Sequence, residues 1–490
     1  MKLNVLLQTV SLHIKKIVNK PSCELTIRNL VTNHLHVRCG DLFICLKGAT
    51  VDGHQFARAA VQKGAVAIIA ERFIKVSVPV IYVDSTHKVL PKLVNEFYQY
   101  PSQNFTLFGV TGTNGKTTVS YLLNDIFSLY NHHTGLIGTI EIKINNKNMP
   151  SQLTTPDPAT LQKIMAKMVE HKVDTVFMEV SSHALSLGRI HGCDFDVAIF
   201  TNLTQDHLDF HQTMENYLHA KSLLFSQLGS SLKRQKYVVL NLDDPASEFL
   251  MTVTAQPVLT YSCKKHAHVI AKDIEITTTY TKFLLVTPVG EVVIRSPLIG
   301  MFNVSNMLAA ATAAIAKDVP LPVIKSALEN VENVPGRFEV IEPKDKITVI
   351  VDYAHTPDSL KNVLQTIQSF AIGKISLVVG TGGDRDRKKR PLMGEVAVQY
   401  ADEVTFTSDN PRTEEPEQIL KDMVNNLQAS NYTIEIDRKK AIHRAIQFAE
   451  QDDVILIAGK GHETYQEIHG VKYDFDDRKI AKEALNKREK

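Results

Sequence analysis

The sequence predicts an α/β protein of three domains. These are a small N-terminal α/β domain, a central phosphate-loop ATPase-type domain carrying a β-meander, and a C-terminal Rossmann-like, doubly wound domain. Three observations predict this. Short apolar runs of strand length alternate with segments whose apolar residues recur at helical spacing. A glycine-rich turn, Gly112-Thr113-Asn114-Gly115-Lys116-Thr117-Thr118, joins one such run to one such helix. Beyond a Pro335-Gly336 turn signal the strand–helix alternation becomes regular.

Residues 41–100 read as strand DLFICLKG, helix DGHQFARAAVQKGA, strands AVAIIAER and VPVIYVD, and helix STHKVLPKLVNEFYQY, ending near Pro101. The central segment continues from the glycine-rich turn through a helix over 158–171, strands DTVFMEVSS and DVAIFTN, a helix over 214–228 and strand KYVVLNLDD. Residues 257–298, rich in Thr, Val and Ile, read as the meander, and helical patterns follow at 304–316 and 322–331. The last segment alternates strands ITVIVDYAH, KISLVVG, EVTFTS, YTIEID and DVILIAG with helices starting near Pro357, Pro391, Glu414 and Arg438. Apolar strands in such alternation imply a parallel sheet with ligands at the strands' C-terminal ends. The expected boundaries are 1–102, 103–333 and 334–490.

A chain of 490 residues suits about three domains. Its net charge of +2 gives no general pull toward nucleic acid or anionic lipid, so any functional positive site must be local. The five cysteines, Cys23, Cys39, Cys45, Cys193 and Cys263, are odd in number and form no CxxC pair, as suits reduced thiols in a cytosol. No apolar run is long enough to cross a bilayer, and the one at the N-terminus is too short for a signal peptide. The expectation is a cytoplasmic monomer that handles small molecules, without nucleic acid or membrane partners.

The turn at 112–118 sits where bare backbone N–H groups and a helix dipole favour phosphate. Lys116 can reach the terminal phosphates, and Thr117 can offer its hydroxyl to Mg²⁺. The strict Walker pattern needs glycine at position 110, which is Val110, and Gly109 comes one residue early, so the loop is a variant. A ligand-free surface turn is the alternative; it is disfavoured because turn, lysine, threonine and helix coincide.

Two central strands end in polar clusters, MEVSSH (178–183) and TNLTQDHLDFH (201–211). Glu179 and His207 are thus placed to hold Mg²⁺ against a nucleotide. A rival reading pairs His207 with His211 on zinc, although the Glu of HExxH and any supporting cysteine are missing. Glu179 could alternatively be a helix cap or a surface carboxylate. Lys221 lies in YLHAKSLLF among apolar residues at helical spacing. Snorkelling is the usual explanation for such a lysine, and the residues alone favour it. The functional alternative is a lysine converted to an anion that helps hold a metal. In the last segment three charged groups follow strand ends, at 382–387, 409–412 and 459–463. Acidic and basic side chains on one rim suit a zwitterion; a solvated charged loop is the alternative for 385–390.

These residues resemble the Mur ligase superfamily, the ATP-dependent amide-forming enzymes of cell-wall precursor synthesis. The matched motifs are TGTNGKTT (111–118), TTPD (154–157), MEVSSH, TNLTQDHLDFH, the lysine of YLHAK, GMFNVSN (300–306), PGRFEV (335–340), VDYAHTPDSL (351–360), GGDRDRKKRP (382–391), DNPR (409–412) and AGKGHE (458–463). The resemblance covers nearly the whole chain and is strongest to the branch adding meso-2,6-diaminopimelate to UDP-N-acetylmuramoyl-L-alanyl-D-glutamate. It implies ATP at Gly112, Thr113, Asn114, Gly115, Lys116, Thr117 and Thr118, with Asn303 at the adenine and Arg337 and Asp352 reaching the phosphates and ribose. It implies Mg²⁺ served by Thr117, Glu179, His207 and an N6-carboxylated Lys221, with Lys116, Glu179, His207 and Lys221 as the catalytic set. The UDP-muramoyl dipeptide would meet Thr154, Thr155, Ser181 and Arg189. Diaminopimelate would meet Arg385, Asp409, Asn410, Pro411, Arg412, Gly459 and Glu463, and the Arg of DNPR marks diaminopimelate rather than lysine as the amine. One departure is Asn33-His34-Leu35, where the family usually carries Asp-Ser-Arg, whose serine and arginine contribute to nucleotide-sugar binding. Another is Leu187, where some relatives have glutamine. Two further classes are a nucleotide-binding regulator that has lost ligation, which the changed 33–35 segment favours, and a motor-type ATPase, which would have no need of the DNPR and GKGHE loops.

Overall fold

The computed structural model describes residues 1–490 apart from 23, 49–50, 230–233, 278, 333, 345 and 489–490. The chain divides into two packed units, residues 1–109 with 132–196, and residues 110–131 with 197–490.

In the first unit, strands Ile14–Val18, Val80–Val83, Ala67–Ala70, Leu42–Ile44 and Leu30–Val31 form one sheet in that order. The first pair is antiparallel and the rest are parallel. The expected strands and helices of 41–100 are present. Helix Thr86–Phe97 is capped by Ser85 and lays Val89, Leu90, Leu93 and Val94 on Ile44, Ile69 and Ile81. Helix Leu3–Gln8 and strand Ile14–Val18 had no sequence expectation, because neither is long enough to show a period. The same unit holds strand Thr134–Ile137, parallel to Thr175–Glu179, and the hairpin Glu141–Ile144 with Lys147–Pro150. Helix Pro158–Glu170 starts at Asp157, whose carboxylate accepts from the N–H groups of Ala159 and Thr160, with Pro158 at the first helical position.

Strand Thr106–Thr111 passes from the first unit into the second. Val110, where the strict Walker pattern has glycine, is fully buried in it. In the second unit, strands Val197–Phe200, Tyr237–Asn241 and Val258–Ser262 are parallel neighbours. The meander expected over 257–298 holds only for its last three strands, Val269–Ile276, Thr281–Thr287 and Gly290–Ser296. Val258–Ser262 instead pairs parallel with Val269–Ile276, through Tyr261 and Ser262 only. Residues 263–268 step sideways without reversing the chain, and composition cannot reveal that. Helix Met301–Ile315, apolar on nearly every side, is buried against helix Lys116–Leu129.

The second sheet of this unit orders Glu339–Lys344, Ile347–Asp352, Val454–Ala458, Ile375–Val379, Glu403–Phe406 and Tyr432–Ile434. Only the edge strand Glu339–Lys344 is antiparallel. Alternate strand residues feed two cores. Ile350, Leu377, Val379 and Leu456 meet helices Pro357–Gln368, Lys389–Tyr400 and Pro416–Val424. Val349, Val351, Val378, Ile455 and Ile457 meet helices Arg438–Phe448 and Asp477–Lys487. The sheet is therefore doubly wound, as expected. The Pro335-Gly336 turn is wedged against Gly461 and His462. Gly336 has φ +64°, and a Cβ there would collide with that backbone.

Among the described residues, Cys39, Cys45, Cys193 and Cys263 are free thiols, and Cys23 lies outside them. No helix of the described residues is long and apolar enough to cross a membrane.

The two helices on the second face are tied by a fully buried ion pair. Arg438 donates to both carboxylate oxygens of Asp477, at 2.9 and 2.7 Å, and to the Ala458 carbonyl at 2.9 Å. Arg438→Met should lower unfolding free energy by about 3–5 kcal/mol, because Asp477 is left buried and uncompensated. Denaturant titration of the two proteins checks this; a change below about 1 kcal/mol would contradict the tie.

Candidate functional site

Within the second unit the loop at 112–115 is cradled by the end of strand Val197–Phe200. Thr113 N–H donates to the Asn202 carbonyl at 2.8 Å, and Asn114 N–H to Asn202 Oδ1 at 2.8 Å. Thr201 Oγ1 donates to the Asn114 carbonyl at 2.6 Å. Gly115 has φ +87°, and a Cβ there would strike the Asn306 carboxamide. The loop therefore needs glycine, and it opens directly into helix Lys116–Leu129, whose first N–H groups can receive an anion.

Two ammonium groups meet at the Gly112 carbonyl. Lys116 Nζ donates to it at 2.9 Å and to the Thr113 carbonyl at 2.8 Å, and Lys221 Nζ donates to it at 2.8 Å. Lys221 does not snorkel. It is 1% exposed, with Nζ lying 4.4 Å over the Tyr217 ring. Burial first, and then the charge of Lys116, push its pKa well below the usual lysine value.

His207 follows buried Asp206 and adopts a left-handed backbone, φ +55°. The Asp206 carboxylate lies 3.3 Å from His207 Nε2, 3.5 Å from His355 Nε2 and 3.6 Å from Lys389 Nζ. Burial pushes this carboxyl up, but His355, Lys389 and His207 outweigh it and hold it well below the carboxylate range. His211 turns its ring toward Tyr217, 5.0 Å between centroids, and no three His, Cys, Asp or Glu side chains converge as a metal cage among the described residues. The zinc reading therefore finds no ligand set. Mg²⁺ needs no such cage, because it keeps waters and takes phosphate oxygens.

Arg337 reaches the same loop, donating from Nη2 to Thr117 Oγ1 at 3.1 Å, with its guanidinium 4.5 Å over the Tyr353 ring. Asp352 accepts from the N–H groups of Phe338 at 2.6 Å and Ala354 at 2.7 Å. Asn303 is buried and bonded to Asn306, whose carboxamide abuts Gly115. Asn114 Nδ2 donates to Asp358 at 3.3 Å.

On the rim of the doubly wound sheet, Lys460 Nζ donates to Asn410 Oδ1 at 2.9 Å and Glu463 Oε2 at 3.0 Å, and Asn410 Nδ2 donates to Glu463 Oε2 at 2.7 Å. Gly459 lies against the Asp409 carboxylate. Arg412, with φ +53°, donates from Nη1 to the Gly383 carbonyl at 2.6 Å and has Nε 3.6 Å from Glu467. The Pro411 carbonyl abuts Gly383. The structure does not bring Arg385 into this group: its side chain is exposed and donates to the neighbouring Asp384 carbonyl.

In the first unit, Glu179 is buried and caps no helix; Ser181 caps helix Ser182–Ser186. Thr139 donates to the two Glu179 oxygens, from N–H at 2.8 Å and from Oγ1 at 2.9 Å, and its hydroxyl lies 3.0 Å from that of Thr154. Thr155 Oγ1 donates to the Glu179 carbonyl at 2.8 Å and accepts from Ser181 N–H at 3.0 Å, and Arg189 donates to the Thr155 carbonyl at 3.1 Å. Thr154, Thr155, Glu179, Ser181 and Arg189 are thus one cluster. Asn33 caps the turn His34–His36, and the His34 ring stacks on Phe56 at 4.0 Å. Sequence reasoning gave no role to Thr139, Asp206, Tyr217, Asn306, Tyr353, His355, Lys389 or Glu467. Asp206, Tyr217, Asn306, Tyr353, His355 and Lys389 lie within the motifs quoted above, which were the signal that could have found them, whereas Thr139 and Glu467 lie in none.

Three family models match the chain: Mur ligase family, catalytic domain, over 27–98; Mur ligase middle domain over 110–314; and Mur ligase, glutamate ligase domain, over 336–461. The curated UDP-N-acetylmuramoyl-L-alanyl-D-glutamate–2,6-diaminopimelate ligase of Oceanobacillus iheyensis is 53% identical over 473 residues, 95% of this chain and 96% of its own. The protein of the same name from Bacillus cereus is 51% identical over 490 residues, 100% of this chain and 99% of its own. A solved structure of that name is 32% identical, covers 99% of each chain and has a TM-score of 0.69. MurF ligase from Thermotoga maritima in complex with ADP, 22% identical and covering 95% of this chain and 98% of its own, shares the fold with a TM-score of 0.68.

His462 packs on Tyr353 at 5.1 Å, and its Nδ1 is buried without a hydrogen bond. Burial, reinforced by Arg337, Arg478 and Lys460, lowers its pKa to about 3. Its contribution to stability is therefore full above the unfolded value of about 6.5 and is lost as pH falls toward the folded one. NMR titration should find this imidazole neutral down to about pH 4; a midpoint near 6.5 would contradict the packing.

Proposed function

The chain belongs to the Mur ligase family, and we propose that it is the ATP-dependent ligase joining meso-2,6-diaminopimelate to UDP-N-acetylmuramoyl-L-alanyl-D-glutamate in peptidoglycan precursor synthesis. The observation that supports this most is one packed unit carrying both a glycine-rich phosphate loop and a rim where Arg412, Asp409 and Glu463 alternate in sign. A motor-type ATPase has no use for that rim. We place the nucleotide sugar with residues 1–102, ATP with 103–333 and the amino acid with 334–490, in a cytoplasmic monomer.

In this reading the loop amides of 112–118 and Lys116 bind the triphosphate and offset charge as the D-glutamate γ-carboxylate takes the γ-phosphoryl group to form an acyl phosphate. Arg337 and Asp352 hold the phosphates and ribose, and Asn303 the adenine. Thr154, Thr155, Ser181 and Arg189 orient the muramoyl dipeptide. Mg²⁺, when bound, supplies Lewis-acid neutralisation of the phosphate oxygens. In the second unit Thr117, His207 and carboxylated Lys221 would hold it, and the family resemblance adds the Glu179 carboxylate. Three of these donors are the oxygens Mg²⁺ prefers, a hydroxyl, a carboxylate and, on Lys221, a carbamate, and the His207 imidazole is the one nitrogen. Only a neutral amine reacts with CO₂, and burial beside Lys116 shifts Lys221 toward that form. Asp409, Asn410, Pro411, Arg412, Gly459 and Glu463 receive diaminopimelate; Arg385, exposed here, would join them only by swinging in. The amine then attacks the acyl carbonyl, and the amide forms as inorganic phosphate leaves.

Purified protein given ATP, Mg²⁺, the UDP-muramoyl dipeptide and either diaminopimelate or lysine should yield tripeptide with diaminopimelate alone. ADP release without either substrate would point to a motor, and nucleotide binding without turnover to a regulator. Arg412→Ala should lower kcat/KM for diaminopimelate by roughly 30-fold or more, since a charge-assisted contact to the distal carboxylate is lost; unchanged kinetics would refute that role. Activity should fall when bicarbonate and CO₂ are stripped from the buffer and return when they are restored. Indifference to both would leave Lys221 unmodified.

A further inference from the structure

Lys389 has no task in the reaction described so far. It is the first residue of helix Lys389–Tyr400, and only 4% of it is exposed. Among the described residues its ammonium donates no hydrogen bond. Its ion-pair partner, Asp206 Oδ1, lies 3.6 Å from Nζ, beyond hydrogen-bond reach. Asp206 is otherwise engaged: Oδ1 accepts from His207 N–H at 2.9 Å, and Oδ2 lies 3.3 Å from His207 Nε2 and 3.5 Å from His355 Nε2. The other cations buried as deeply among the described residues, Lys221, Lys236, Arg390, Arg438 and Lys460, each donate at least one hydrogen bond of 2.9 Å or less. A buried ammonium with three unused N–H donors is costly, and an apolar side chain would fill the space at less cost. Packing therefore does not account for Lys389.

We infer that Lys389 is a further catalytic residue: it donates to the phosphoryl group as that group passes from ATP to the substrate carboxylate, and holds it until it leaves as inorganic phosphate. This rests on the function proposed above. The surroundings of Lys389 fit a phosphoryl group. Beyond Asp206, the His207 ring lies 6.2 Å from that of Tyr217, and Tyr217 Oη lies 3.2 Å from Thr113 Oγ1 in the glycine-rich loop. His355 packs at 4.7 Å on Tyr353, whose ring Arg337 covers. In the first step a carboxylate oxygen bonds the γ-phosphorus while the bond from that phosphorus to the bridging oxygen breaks, and ADP keeps the electron pair. ADP stays with the loop and Lys116, so the charge on the departing phosphoryl oxygens needs a second cation on the acceptor side. In the second step the amine nitrogen bonds the acyl carbon, the carbon–oxygen bond breaks, and phosphate leaves with that pair while the nitrogen gives up a proton. Lys389 stays protonated throughout.

The test pairs steady-state ligation kinetics with the exchange of labelled inorganic phosphate into ATP, run with Mg²⁺ and all substrates and products present. Lys389→Met keeps the apolar stem and removes the charge. It should lower kcat by about 30-fold or more and raise the half-saturating phosphate concentration about tenfold or more, with KM for ATP and for diaminopimelate within about threefold. Lys389→Arg, which keeps the charge, should bind phosphate within about threefold of wild type; a loss as large as that of the methionine variant would overturn the inference. Unfolding midpoints establish that each variant is folded, and Lys389→Gln replaces the methionine variant if that one is not. A lower kcat with unchanged phosphate saturation would make Lys389 a support for Asp206 and overturn the inference. So would full activity, or a change confined to KM for diaminopimelate. If wild type formed no tripeptide from diaminopimelate, the proposed function would fall, and this inference with it.

Discussion

Two lysine ammonium groups, Lys116 and Lys221, converge on one carbonyl oxygen, that of Gly112. Lys116 stands in the first turn of a helix, where a phosphate would be favoured. Lys221 cannot carry a charge there cheaply, since it is buried on helix Met214–Ser226 beside a like charge. A neutral amine, or an amine turned into an anion, resolves the conflict, and either state changes what the loop can hold. The acceptor is a backbone oxygen at a glycine, so no side-chain substitution in the loop could remove it.

Much of the second unit is organised to keep this loop in place. Thr201 and Asn202 clamp Thr113 and Asn114 from the adjacent strand end, and Asn306 closes on Gly115. From the later sequence, Arg337 reaches Thr117, Asp358 meets Asn114, and His355 and Lys389 surround Asp206. These polar and charged contacts tie the glycine-rich loop to the doubly wound sheet's side, and Ile299 and Phe302 add apolar packing on Phe338 and Ile350. Gly336 extends the linkage, because its turn lies against Gly461 and His462, next to Glu463. A shift of the loop at 459–463 would therefore be felt at Arg337, one residue from Gly336.

Much of this was legible from residues alone. Gly112 to Thr118, with an apolar strand before it and a helical stripe after it, determined a strand-to-helix turn built on glycine. Regular alternation beyond residue 336 determined a doubly wound sheet, because strands buried on both faces must be apolar throughout. The N-terminal helix, the 141–150 hairpin and the parallel step at 263–268 were not legible: short elements show no period, and composition does not record chain direction. The sequence also could not tell a snorkelling Lys221 from a buried one, since both sit among apolar neighbours at helical spacing.

The chain's own order of residues determined which chemistry is present: a lysine and threonine after glycines, carboxylates and imidazoles at strand ends, and an arginine after Asn-Pro. Only the tertiary structure decided which of those groups face each other. Asp206 with His355 and Lys389, Glu179 with Thr139, and Arg412 with Glu467 are separated by 149 and 183, 40, and 55 positions. Pairings at such separation follow from strand order and helix packing, which are set by the burial of whole faces rather than by any local pattern.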